Sequence, residues 1–139
     1  MKRQIALSLS TTLFLLALLA FPAYGQGPTI TVNIPFEFSL GDRAYPAGEY
    51  AFSALKENVI AMEKDGRTKV GVFLADHLSG QNNSAQVRFQ CYEKQCFLSQ
   101  VWIPGLDDGF QPRRSRSESE VAAKITGRYV ALVGTSPQR

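Results

Sequence analysis

Residues 30–40 read Ile-Thr-Val-Asn-Ile-Pro-Phe-Glu-Phe-Ser-Leu, and this stretch decides the class of fold. Apolar side chains occupy every even-numbered position from Ile30 to Leu40, and the side chains between them are mostly polar. An apolar residue at every second position is typical of a β-strand with one buried face. Because Pro35 has no N–H for a ladder, we expect this strand to lie at a sheet edge or to bend at Pro35.

Further strand patterns follow along the chain and are separated by turn-forming residues. They cover residues 49–54, 57–63, 67–75, 86–92, 96–103 and 128–133. Ser117 and Glu120 have the spacing of a capping box, which predicts a short helix that ends near Gly127. The whole pattern predicts an all-β fold, either an antiparallel β-sandwich or a small barrel of about seven strands, with one short C-terminal helix. Both architectures remain open because the choice depends on strand order.

The two cysteines lie in one predicted hairpin. If Glu93 and Lys94 form a two-residue turn, Cys91 faces Cys96 in a pair where side chains approach most closely. We therefore predict a structural disulfide between Cys91 and Cys96, which stabilises the fold by about 2 kcal/mol because the loop that it closes is short. The alternative is a redox or metal-binding pair, but four residues between two cysteines match neither kind of site well.

A second hairpin surrounds Lys64-Asp65-Gly66. A two-residue turn at Asp65-Gly66 would pair Met62 with Lys69. A three-residue loop at 64–66 would pair Ile60 with Val70 and Met62 with Thr68, which matches apolar positions better. Since a slip of one residue moves every side chain to the other face, we predict the three-residue loop.

The second strand of the cysteine hairpin is apolar on both faces. Leu98 and Trp102 share one face, and Phe97, Val101 and Ile103 share the other. Such a strand is expected to lie centrally and to be covered on both sides. The predicted helix is our candidate cover for the outer face of Phe97 and Val101.

The first 25 residues have the pattern of a secretory signal peptide. Lys2 and Arg3 precede an apolar run at residues 5–21, and Ala23 and Gly25 supply small residues before a cleavage point. We predict a signal peptide at 1–25 and a single β domain at 26–139 that is exported to the periplasm or the extracellular space. An uncleaved membrane anchor is the competing interpretation, because the apolar run is close to the length of a spanning helix. After cleavage we expect no transmembrane span.

Charge argues against nucleic acid as a partner. The full chain carries a net charge of +3, and removal of Lys2 and Arg3 lowers this by two, to +1. A nearly neutral domain lacks the basic surface that nucleic-acid binding needs.

Several segments of the domain resemble a group of uncharacterised small exported proteins of environmental bacteria. The segments that carry the resemblance are Ile34–Phe38, Pro46–Tyr50, Phe97–Trp102 and Ser115–Glu118. The resemblance implies an all-β exported fold. It implies no activity and no catalytic residue.

Few residues suggest catalysis or metal binding. His77 is the single histidine, and its neighbour Asp76 would point to the opposite face of a strand, so the two do not form a catalytic pair. Asp107 and Asp108 lie in a glycine-bounded loop but lack the spaced ligands of an EF-hand. We expect no metal and no cofactor.

The best candidate for a binding site is the stretch from Phe110 to Arg116. Arg113, Arg114 and Arg116 could hold a carboxylate, a phosphate or an anionic surface through bidentate hydrogen bonds, or they could simply pair with nearby acids. Phe110 lies in a predicted long loop, residues 104–112. It could be an exposed anchor for a partner, or it could close the end of a small barrel.

Three functions remain in view. The leading one is a non-enzymatic exported or envelope β domain, an interaction module whose partner is an unknown protein or an envelope surface. The first alternative is a carrier of a small ligand in the interior of the fold. The second is a hydrolase that uses His77, which requires an acid and a nucleophile within hydrogen-bond reach.

Overall fold

The computed structural model describes residues 27–80 and 84–136, so the predicted signal peptide lies outside the described residues. Within these ranges the chain forms ten strands and one α-helix. In chain order they are β1 (Thr29–Ile34), β2 (Phe38–Leu40), β3 (Arg43–Tyr45), β4 (Gly48–Lys56), β5 (Val59–Lys64), β6 (Thr68–Leu78), β7 (Gln86–Tyr92), β8 (Gln95–Trp102), β9 (Gly109–Pro112), α1 (Arg116–Ala122) and β10 (Arg128–Val133).

The strands join into one folded sheet, which confirms the all-β prediction. Its main path is β1-β4-β5-β6-β9-β8-β2-β3, with β7 on the other side of β8 and β10 beyond β7. The long strand β6 belongs to both halves, because its first part pairs with β5 and its last part, Ala75–Leu78, pairs with β9. Over the described residues the sheet does not close, so the architecture is sandwich-like. Strand pairs are antiparallel except at Ser39 and Phe97, where β2 and β8 run parallel.

The stretch at residues 30–40 bends at Pro35, which confirms one of the two expectations for this proline. β1 ends at Ile34 in the half of the sheet that contains β4, and β2 begins at Phe38 in the half that contains β8. Thr31 on β1 also exchanges two backbone hydrogen bonds with Thr135, at 2.8 and 2.7 Å. The first and last described segments are thereby joined.

The core lies between the inner faces of the two halves. Its centre is aromatic: the Phe38 ring lies 5.1 Å from the Tyr50 ring and 5.5 Å from the Phe89 ring, both edge to face. Removal of these large apolar surfaces from water is the main term that stabilises the fold. The alternating residues Ile30, Val32, Ile34 and Phe38 all enter this core.

The cysteine hairpin forms as predicted. Tyr92 pairs with Gln95 and Cys91 pairs with Cys96, and the cysteines form a disulfide with their Cα atoms 4.0 Å apart. Glu93 takes a positive φ of 54°, as turns of this tight kind require.

The predicted register of the second hairpin is wrong. Lys64 pairs with Thr68, so the loop is Asp65–Arg67, and Met62 pairs with Gly71. The register then shifts because Val70 is an extra residue on β6, a β-bulge that apolar matching could not anticipate.

A bulge also overturns the predicted faces of β8. Arg88 pairs with Gln100 and Phe89 pairs with Leu98, which leaves Ser99 as an extra residue. The bulge reverses the alternation, so Leu98 and Val101 both join the core, while Trp102 lies outside that cluster. Because Val101 points inward, the helix does not cover it.

The helix begins two residues earlier than the predicted capping box. The N-cap is Ser115, whose Oγ accepts a hydrogen bond from the Glu118 N–H at 3.1 Å. Ser117 instead donates from Oγ to Asp42 at 3.5 Å. The helix ends at Ala122, earlier than the predicted end near Gly127. Val121 in its last turn and Ile125 in the following segment border a cleft beside the cysteine hairpin turn.

Candidate functional site

Phe110 is buried on a strand inside the sheet. It lies on β9, opposite His77 on β6 and opposite Val101 on β8, and it is only 3% exposed. Its burial contradicts the exposed anchor. The barrel-end alternative is not met either, because over the described residues the sheet does not close. The predicted loop at residues 104–112 is therefore shorter, because residues Gly109–Pro112 form a strand. At Gly109 the Trp102 indole lies so close that a Cβ would approach it to 2.8 Å, which explains why glycine occupies this position.

His77 pairs with a different acid from its neighbour in sequence. Its Nδ1 lies 3.3 Å from Oδ2 of Asp108, which the loop before β9 brings back to β6. Both side chains are partly exposed and border a cleft of about 370 Å³ whose apolar lining includes Leu55, Leu106 and Phe110. No serine, threonine or cysteine is among the residues described as lining this cleft, so the pair has no hydroxyl or thiol to activate there.

Each of the three predicted arginines has an acidic neighbour. Arg113 Nε lies 3.8 Å from Asp76, Arg114 Nε lies 3.7 Å from Glu118, and Arg116 Nε lies 3.2 Å from Glu120. The exposed fractions of the arginine side chains are 73%, 55% and 92% in that order. Ion pairs this exposed contribute little to stability, so the guanidinium groups could exchange partners at small cost.

Arg114 differs from the other two because its partner is buried. The Glu118 side chain is 10% exposed, and this burial raises the pKa of its carboxyl group, while the charge of Arg114 acts in the opposite direction. Burial also raises the pKa of Tyr92, with Arg114 and Glu118 as neighbouring charges. Arg114 is therefore held near the helix by its pairing with Glu118, and Arg113 and Arg116 are the more available cations.

A groove lies between the β2–β3 hairpin and the first half of β6; we call it the β3–β6 groove. Its volume is about 630 Å³. Its lining mixes polar and apolar surface, with cations at Arg43 and Arg113 and one acid. It consists of Leu40, Gly41, Asp42, Arg43, Tyr45, Gly71, Val72, Phe73, Leu74, Pro112 and Arg113. Arg113 thus belongs both to the arginine segment and to the groove.

Sequence reasoning missed this groove and the role of Arg43. The groove exists because β3 and β6 come together across the fold, although they are far apart along the chain and do not pair. The only local signal was Gly71, where a Cβ would lie 3.2 Å from the Tyr45 hydroxyl oxygen. A glycine inside a strand often marks such a close approach.

The comparisons add no relative. No family model matches the chain, and neither the curated proteins nor the solved structures searched contain a match.

Within residues 27–80 and 84–136, no three His, Cys, Asp or Glu side chains are grouped so that they could hold a metal ion. In the same part of the chain, no helix has the length and apolar character to cross a bilayer.

Proposed function

We propose that this chain is a non-enzymatic interaction domain that binds another macromolecule through Arg113, Arg114, Arg116 and the adjoining β3–β6 groove. The observation that carries the proposal is the position of Arg113, whose side chain is 73% exposed and which lines a groove that also contains exposed apolar side chains. Partner surfaces are typically recognised by an apolar contact flanked by arginine. Val72 and Leu74 beside the groove are 54% and 55% exposed, which supplies that apolar contact.

The other two functions have less support. A carrier would have to displace the aromatic side chains that occupy the core, such as Tyr50, Phe52 and Phe89. A hydrolase in which His77 activates a hydroxyl or thiol would need a serine, threonine or cysteine beside it, and none is among the residues described around that cleft. Because Phe110 is buried, it is not part of the proposed binding surface.

We also propose that the domain acts outside the cytoplasm, in the periplasm or the extracellular space. The disulfide between Cys91 and Cys96 supports this location, because such bonds persist in oxidising compartments. The signal-peptide pattern at residues 1–25 supports it independently.

The test compares two triple variants with the wild type. In the first, Arg113, Arg114 and Arg116 become Ala. In the matched control, the exposed cations Arg67, Lys94 and Arg128 become Ala, which removes the same charge elsewhere. Each tagged protein is purified from the envelope fraction of its own host, and co-purified proteins are quantified by mass spectrometry. The affinity of any retained partner is then measured by calorimetry with purified components.

We expect the first variant to fold and to bind the partner at least tenfold more weakly, while the control binds like the wild type. Equal affinity of all three proteins would refute the assignment of this surface. Equal loss in both triple variants would show that net charge alone drives the association, and would refute it as well.

A further inference from the structure

Strand β10 lies at an edge of the sheet. It pairs with β7 along its whole length, and among the described residues no strand pairs with its other side. β1 meets that side of the chain only beyond the end of β10, where Thr31 pairs with Thr135. The free edge therefore runs over Arg128–Val133. Unpaired edges of this kind are templates for a further strand.

The backbone groups that face this edge can be identified. The Gly134 N–H donates to the Ala85 carbonyl at 2.9 Å, on the side of β7, whereas Thr135 exchanges hydrogen bonds with β1 on the opposite side. Successive residues of a strand direct their N–H and C=O groups to opposite edges. The odd-numbered residues of β10 therefore direct theirs to the free edge, and these residues are Tyr129, Ala131 and Val133.

The outer face of β10 is apolar and open to solvent. Tyr129 is 67% exposed, Val133 is 83% exposed, and Ala131 between them is exposed as well. The edge strands of soluble proteins commonly carry charges or proline, which discourage further pairing. The single charged residue of β10 is Arg128 at its beginning, and the strand contains no proline. β10 therefore lacks the usual protection of an edge.

The strand is complementary to a second copy of itself. If two β10 strands pair in antiparallel fashion about a two-fold axis at Ala131, Tyr129 of each copy lies opposite Val133 of the other. The two Ala131 residues then face each other. All the outward-directed residues form hydrogen-bonded pairs in this register, and each such pair exchanges two backbone hydrogen bonds. Aromatic and β-branched side chains are a favourable cross-strand combination.

Charge is compatible with a second copy as the occupant. Arg128 lies three residues from the axis, so the two copies of Arg128 are about 20 Å apart along the strands, which is roughly twice the Debye length in physiological salt. Arg88 lies opposite Ala131 on β7, and three strand spacings of about 14 Å in total separate it from its counterpart. The predicted exported domain carries a net charge of only +1, so little overall repulsion opposes association.

We propose that β10 is a homodimer interface, through which two copies of this chain join their sheets edge to edge about a two-fold axis at Ala131. The inference goes beyond the proposed function and does not depend on it, because no residue of β10 lines the β3–β6 groove. Since the interface consists of two short strands, it belongs with the small and weak interfaces, and we expect dimers at protein concentrations on the order of 100 µM.

The test uses the symmetry of the pairing. In Ala131→Lys the introduced ammonium groups face each other across the axis, and in Ala131→Glu the introduced carboxylates do, so both variants should dimerise at least tenfold more weakly than the wild type. Because the Ala131 side chain is exposed, both variants should fold, which circular dichroism checks. The matched control is Val72→Lys, which places the same charge at an exposed apolar position of β6 and should dimerise like the wild type.

Sedimentation velocity measures the dissociation constant of each protein. An equimolar mixture of Ala131→Lys and Ala131→Glu should regain the dimer, because opposite charges then meet at the axis. Amide hydrogen exchange tests the wild type without any substitution. From dilute to concentrated protein, exchange at Tyr129 and Ala131 should slow at least threefold, whereas Val130 and Leu132, whose N–H groups face β7, should change little.

Four outcomes would each overturn the inference. They are a wild type that stays monomeric at about 1 mM, dimers that form equally well in every variant, a mixture of the two Ala131 variants that stays monomeric, and unchanged exchange at Tyr129 and Ala131. None of them alters the result of the triple arginine variant, which tests the proposed function separately.

Discussion

Reduction of the disulfide should lower the melting temperature by about 10 °C. The bond joins cysteines with a sequence separation of 5, so it closes a loop of about six residues. The chain-entropy relation gives a loss of roughly 7 cal/mol/K in the unfolded state for such a loop, or about 2 kcal/mol at 25 °C. A domain of about 110 ordered residues gains about 230 cal/mol/K on unfolding. Dividing the free energy of about 2 kcal/mol by this entropy gives a shift of about 9 °C, close to the value stated above.

The assay is thermal unfolding followed by circular dichroism, with and without the reductant TCEP. Reduced wild type is the proper comparison, because Cys91 stays in the core as a small apolar side chain and only the cross-link is lost. The Cys91→Ala/Cys96→Ala variant is the control, and TCEP should leave its melting temperature unchanged. A fall of less than 3 °C would mean that the hairpin stays closed in the unfolded ensemble. A fall of more than 20 °C would mean that the bridge holds native packing, and either result would refute the entropic reasoning.

Three further predictions concern the helix α1 and Phe110 on the buried strand β9. Ser115→Ala should lower the free energy of unfolding by about 1 kcal/mol in urea denaturation, because it removes the N-cap acceptor. Ser117→Ala should lower it by less than about 0.5 kcal/mol. Equal costs for the two variants would contradict Ser115 as the N-cap. Burial raises the pKa of the Glu118 carboxyl group, so the folded protein holds this proton more tightly than the unfolded chain does. The wild type therefore loses stability as pH rises from about 4 toward 7, and Glu118→Gln should become more stable relative to it over the same range. Denaturation of both proteins at several pH values checks this, and a wild type that gains on the variant with rising pH would reverse the sign. Phe110→Ala should cost about 3–5 kcal/mol by the same assay, and the highly exposed Val133→Ala less than about 0.5 kcal/mol; a small cost for Phe110→Ala would mean that its ring is a surface group after all.

Local patterns predicted the parts of the fold that depend on near neighbours. The alternation at residues 30–40 identified a strand whose even-numbered side chains from Ile30 to Phe38 are buried or packed against the core. The cysteine hairpin was predicted to the residue, since a two-residue turn determines which residues face each other. Pro35 predicted either a sheet edge or a bend, because a missing N–H interrupts any ladder, and the chain bends there.

The failures have a common physical cause in β-bulges. One extra residue at Val70 shifted the register of β6, and one at Ser99 exchanged the faces of β8. A bulge satisfies the packing of the whole sheet and leaves no reliable mark in a short window of sequence. The buried strand β9 was missed for a related reason, because Gly109–Pro112 has turn-like composition and becomes a strand only through its contacts with β6 and β8.

The candidate site was predicted only in part. Arg113 was identified from its neighbours in sequence, because arginines cluster there. The role of Arg43 and the β3–β6 groove could not be predicted, since both arise only when distant strands meet. The partner of His77 was missed for the same reason, as Asp108 arrives from a loop about thirty residues later along the chain.

The hydrogen bonds between Thr31 and Thr135 have a consequence for the rate of folding. They join segments that are far apart along the chain, and the pairing of β7 with β10 is also non-local. Bringing distant segments together costs chain entropy before the contacts that they make can repay it. The sheet is therefore expected to fold in milliseconds to seconds, as domains dominated by non-local strand pairing do.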